Sequence, residues 1–67
     1  MIRPFQRYRV NATGDLTIYR RVLMYLHENW LYPSQRDDRS YSLVVDRLTE
    51  HQKEQLEALG ADLELLK

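Results

Sequence analysis

The chain has 67 residues, with ten basic and ten acidic side chains in balance and no cysteine. That length makes one domain, 1–67, which buries only ~60% of the surface it exposes when unfolded, so association with another chain is the usual route to added stability. Disulfides and thiolate zinc sites are excluded. No apolar run approaches the ~20 residues of a membrane span, and Arg3, Arg7 and Arg9 interrupt any leader-like start, so the expectation is a soluble cytoplasmic protein.

Met1 to Ala12 reads as a half-buried strand. Ile2, Gln6, Tyr8 and Val10 alternate with Arg3, Phe5, Arg7 and Arg9, and Pro4 belongs at the strand's start or on an exposed edge. Thr13-Gly14-Asp15 turns the chain, with Asp15 or Thr13 as N-cap of the next element. Leu16 to Trp30 is the longest stretch with a helical period. Leu16, Tyr19, Leu23, Leu26 and Trp30 share one side, widened by Ile18, Val22 and Tyr25 to roughly half the circumference. The helix is expected to end near Asn29 or Trp30, and Pro33 forces a stop.

Trp30–Tyr32 admits a short extended piece or a loop. Ser34–Arg39 holds nothing apolar and reads as a solvated, mobile loop. Ser40 to Asp46 is the best strand, with Tyr41, Leu43, Val44 and Val45 apolar on both faces, as in a central strand. Thr49 and Gln52 stand in capping-box spacing at the start of a second helix. Leu48, Leu56, Ala58 and Leu59 face inward there, and Gly60 closes it. Asp62 to Leu66 alternates as a last strand with Leu63 and Leu65 inward. The order predicts an α+β fold: the small ferredoxin-like split β-α-β plan, or a trimmed β-α-β-α-β sheet, with two helices on one face and the other face open.

No catalytic signature emerges. His27 and Glu28 diverge by about 100° on a helix, and no second His stands one turn on. Asp37-Asp38 lies between Arg36 and Arg39 and reads as a solvated charge cluster. No catalytic residue, metal site or cofactor is assigned, and the chain reads as a non-enzyme.

Charge is uneven. Residues 1–39 hold seven Arg against four acids, whereas residues 40–67 hold three basic groups against six acids. Arg3, Phe5, Arg7 and Arg9 on an open sheet face form an arginine stripe around an aromatic, and Trp30 and Tyr32 are candidates to assist it. Such a stripe suits a protein interface, where Arg and aromatics are common anchors. It also suits single-stranded RNA, whose bases stack while Arg holds phosphate. Against RNA, SYSLVVDR lacks the Gly and paired aromatics of the RNP1 motif, and zero net charge attracts phosphate weakly. Homodimerisation through the first helix or a sheet edge is compatible with either reading.

Tyr41–Val45, Arg47-Leu48-Thr49, Leu59-Gly60 and Leu63–Leu65 follow one another as aromatic-branched strand, polar turn, capped polar helix and closing strand. In this the C-terminal half resembles the small linker domain of cyanobacterial and red-algal phycobilisomes, and FQRYRVNATG is similar to that family's first strand. Gly60-Ala61 stands in place of the family's Gly-Gly, and its Pro-Tyr before Arg-Leu is missing. The resemblance implies a non-enzymatic protein that inserts into a ring-shaped pigment-protein assembly and orders it through Arg and aromatic contacts.

Overall fold

The structure, a computed structural model, describes residues 6–66. Six elements follow in order: β1 (Gln6–Asn11), α1 (Leu16–Glu28), β2 (Gln35–Asp37), β3 (Ser42–Leu48), α2 (Glu50–Ala58) and β4 (Asp62–Leu66). The strands form one sheet in the order β2-β3-β1-β4, with every neighbouring pair antiparallel. Two β-α-β units, β1-α1-β2 and β3-α2-β4, are thereby interleaved, each with its strands split by one strand of the other. This is the expected ferredoxin-like α+β plan.

Residue parity decides the faces. Tyr8, Val10, Leu43, Val45 and Leu48 point to the helices and join Tyr19, Val22, Leu26 and Leu56 in one buried core. Arg7, Arg9 and Asn11 point the other way and are exposed. The register slips by one residue between Tyr8–Val45 and Gln6–Leu48, so β3 carries one extra residue at Asp46–Arg47, and this bulge returns Leu48 to the helix side out of parity with Leu43 and Val45. Val44 is the exception to the parity rule. It lies on the open face, in register with Arg9 and Gln35, yet only 4% of its surface is exposed. Flanked by these two long side chains, it is covered by stems whose polar ends stay wet.

α1 begins at Asp15, whose carboxylate accepts the backbone N–H groups of Thr17 (2.8 Å) and Ile18 (3.3 Å). Its buried line is Tyr19, Val22 and Leu26. The expected stripe is shortened at both ends, because Leu16 and Trp30 are exposed. α2 carries the expected capping box: Thr49 Oγ1 accepts from Gln52 N (3.1 Å), and Thr49 N donates to the Gln52 side chain (3.0 Å). Of its expected inward residues Leu56 is fully buried and Leu59 partly, whereas Ala58 faces water.

The two helices end alike. In α2, Gly60 N–H donates to Glu57 O and Ala61 N–H to Leu56 O, with Gly60 at φ +105. In α1, Trp30 N–H donates to His27 O and Leu31 N–H to Leu26 O, with Trp30 at φ +58. Both are Schellman caps, in which a left-handed residue satisfies the last carbonyls. One uses the residue that has no β-carbon to strain; the other uses the chain's single tryptophan.

Of the two readings left open for Trp30–Tyr32, the structure has the loop. Two expectations are corrected. The strand that follows α1 is β2, inside the Ser34–Arg39 stretch taken for a mobile loop. Gln35–Asp37 is exposed at every residue, and it is held as a strand by backbone pairing to Ser42–Val44 rather than by burial. Leu65 is 48% exposed although it points to the helix side, because β4 is an edge strand that the helices cover only in part.

Candidate functional site

Of the proposed stripe, Arg3 and Phe5 lie outside the described residues. Arg7 and Arg9 stand on the open face as expected, but neither guanidinium is uncommitted. Arg7 Nε lies 3.0 Å from Asp46 Oδ1, and Arg9 Nη1 lies 3.1 Å from Glu64 Oε1. The strands dictate this. β3 and β4 flank β1 and present carboxylates on the same face, in register or one row away. These pairs are about half exposed, so each contributes little to stability, ~0–1 kcal/mol. They do neutralise the face: a phosphate chain would have to displace Asp46 and Glu64 to reach either Arg.

Trp30 and Tyr32 are the most exposed large apolar side chains described, at 79% and 68%. They flank Leu31 on the segment that leaves the α1 cap, and together they line a groove of about 470 Å³ with Asn29, Val45, Asp46, Arg47 and Gln52. Asp46 links the two halves of the proposed site. One oxygen takes both Arg7 Nε at 3.0 Å and Ser34 Oγ at 3.2 Å, so the wall of the aromatic groove is tied to the arginine face. Arg7, Trp30 and Tyr32 thus gather around one end of β3, while Arg9 stands one row further along β1.

A second cluster secures the β2–β3 turn. The buried Tyr19 hydroxyl donates to Asp38 Oδ1 at 2.6 Å, and Arg36 Nη2 lies 3.2 Å from the same oxygen. Tyr19 also meets Tyr41 with ring centroids 5.4 Å apart. Burial, then the Asp38 hydrogen bond, raises the Tyr19 pKa; the Tyr19 hydroxyl, then Arg36, lowers that of Asp38. Asp37 is lowered by the backbone N–H groups of Arg39 and Ser40, which it accepts at 3.0 and 3.3 Å. The pair is exposed, as expected of a solvated charge cluster, and it also clasps the turn: Asp37 folds the turn and Asp38 fastens it to α1. His27 and His51 are exposed on different helices, and among the described residues no group of three or more His, Cys, Asp and Glu converges on a metal position.

Asp46, Glu64 and Ser34 complete the site and were not singled out from the sequence, and Gln52 was read there only as a helix cap. Asp46 and Glu64 carried a usable signal, since each falls on the outward parity of its strand. Knowing that they meet Arg7 and Arg9 required the strand order.

The fold and site define a small α+β domain with a charge-paired open face and a projecting aromatic corner. Comparison with protein families, curated proteins and solved structures finds no match to this chain.

Proposed function

We propose that this chain is a non-enzymatic adaptor that docks on a larger protein assembly through the corner formed by Trp30, Tyr32 and Arg7, with Arg9 alongside. The observation that carries the reading is Trp30. It is held in a left-handed conformation that favours glycine, yet its side chain is 79% exposed. Left-handed backbone at a non-glycine residue costs of order 1–3 kcal/mol, and such strain clusters at functional positions. Because the side chain buries little within the domain, an external surface is the natural place for it to pack. Trp, Tyr and Arg are also the residue types that dominate binding energy at protein interfaces.

Single-stranded RNA is disfavoured by the ion pairs that occupy Arg7 and Arg9. The linker resemblance points to a ring-shaped pigment-protein assembly as the partner. The test is capture from native lysate by the tagged chain, with ribonuclease treatment, against Trp30→Gly and Arg7→Glu/Arg9→Glu variants shown to be folded. A stoichiometric protein that survives ribonuclease and is lost from both variants supports the adaptor, and a coloured phycobiliprotein supports the linker reading. Equal capture by all three chains refutes the surface, and loss on ribonuclease treatment transfers it to RNA.

A further inference from the structure

The helix layer is divided by charge. Both helices bury one side in the single core, through Tyr19, Val22 and Leu26 on α1 and Leu56 on α2, so their outer sides share one surface. At about 100° per residue, Met24 lies nearly opposite the buried line of α1, with Arg20 and Arg21 one turn before it. Met24 is 66% exposed, and both arginines are exposed. The one acid of this helix, Glu28, is its last residue. On α2, Glu54 and Ala58 lie opposite Leu56 in the same way, with Glu50 and Glu57 beside them, and all four are exposed.

The two sets of charge do not meet within the chain. Among the described residues no ion pair involves Arg20, Arg21 or Glu54. Glu50 and Glu57 share one cation, Lys53 Nζ, at 3.5 and 3.9 Å. α1 therefore shows unanswered positive charge around an apolar side chain. α2 shows excess negative charge around a small one.

A second copy of this chain answers both at once. Turned about an axis that runs parallel to the helices between the two layers, it sets α1 on the partner's α2 and α2 on the partner's α1. The same contact is then made twice, as a two-fold requires. The axis also keeps the right ends together. β1 and β3 are antiparallel, so the helices that follow them start from opposite ends of the sheet. The Arg20–Arg21 half of α1 thus comes level with the Glu54–Ala58 half of the facing α2. A perpendicular axis would set α1 on α1 and α2 on α2, like charge against like, which is penalised.

We propose that the chain self-associates as a reversible two-fold dimer through its helix layer, with Arg20, Arg21 and Met24 of each copy against the Glu54, Glu57 and Ala58 surface of the other. Met24 supplies the apolar centre, Ala58 leaves room for it, and the charges form the rim. Helices of 13 and 9 residues make a footprint roughly 20 Å square, about 400 Å² per copy. A standard stable interface takes ~800 Å² per partner, so this dimer belongs among the weak and salt-sensitive associations.

Sedimentation equilibrium of the full chain from ~10 μM to ~1 mM tests it. Expected is a mass that moves from monomer towards dimer with concentration, with Kd at least about tenfold higher in ~500 mM than in ~20 mM salt. Arg20→Glu/Arg21→Glu makes both helix faces acidic, and Glu54→Lys/Glu57→Lys makes both basic. Each variant, confirmed as folded by circular dichroism, is monomeric alone, and the two mixed form a one-to-one heterodimer, because opposite charges then face each other at both contacts. Met24→Ser weakens the parent dimer at least about tenfold and decides the matter if a charge reversal unfolds the chain. A parent chain that stays monomeric at ~1 mM in low salt overturns the dimer. So do folded reversal variants that associate alone as the parent does, a mixture that stays monomeric, or unchanged association of Met24→Ser.

Discussion

Trp30 offers a test whose sign is unusual. In ordinary helical positions alanine is more stable than glycine by ~1 kcal/mol. At Trp30, with φ +58, the order should invert. Both Trp30→Gly and Trp30→Ala remove the same covered area, about a fifth of a 79%-exposed side chain. At ~25 cal/mol per Å² on a side chain of ~250 Å², that is about 1 kcal/mol. Glycine then relieves the left-handed strain, worth ~1–2 kcal/mol, and gives back ~0.4–1 kcal/mol through a freer unfolded chain. Alanine keeps the β-carbon and most of the strain. Trp30→Gly should therefore lie within about 1 kcal/mol of the parent, and Trp30→Ala about 0.5–1 kcal/mol below Trp30→Gly, a gap of roughly 2–8 °C in Tm for a domain this size. Urea unfolding followed by far-ultraviolet circular dichroism measures all three chains. Alanine equal to or above glycine would refute the left-handed cap, and a loss above about 3 kcal/mol in both would mark Trp30 as a core residue instead.

The sister cap gives the reciprocal result: Gly60→Ala should cost about 1–2 kcal/mol, since φ is +105 and the new β-carbon would come within 3.0 Å of Ile18 Cδ1, read by the same denaturation curves. Leu56→Ala, at a site with 0% exposure, should cost about 2–5 kcal/mol and unfold much of the population, seen as loss of cooperative thermal melting. Tyr19→Phe removes the hydroxyl that fastens Asp38 and should cost about 1–2 kcal/mol, with the Asp38 carboxyl titrating at higher pH when followed by NMR. The pH signs follow from the shifts. Asp37 and Asp38 are lowered on folding, so their contribution is present above the unfolded value of ~4 and is lost as pH falls through their folded values. Tyr19 and Tyr25 are raised, chiefly by burial, so theirs holds below ~10 and is lost as pH climbs past their folded values. Unfolding curves collected from acid to alkaline pH check both limbs; a plateau unchanged through either end would contradict the clasp.

Helix starts were the most legible part of the sequence, because Asp15 and the Thr49–Gln52 pair advertise local hydrogen bonds that need no tertiary partner. The strong period-two strands were legible for a similar reason, since alternation follows from one covered face. β2 was not, because Gln-Arg-Asp has no apolar member and becomes a strand only when β3 is beside it. Trp30 misled for the opposite reason: its spacing from Leu26 continues the helical period, while the backbone has already turned left-handed. The site was half visible. Arg7, Arg9, Trp30 and Tyr32 stand out by type and position, but whether an arginine is open or answered depends on register, which a single chain's pattern does not contain.

The position of β1 bears on how the domain comes into being. The earliest-made described strand sits between β3 and β4, the last two described strands to be made, so both its neighbours arrive well after it. A growing chain can form α1 early, but Tyr8 and Val10 wait for Leu43, Val45 and Leu63 before they are enclosed. No half of the molecule is a stable stopping point. Sheet closure joins strands far apart in sequence, which makes it slower than the folding of a helical bundle of equal size, and until β4 docks, the apolar side of β1 is open to whatever helper or competing strand is nearby.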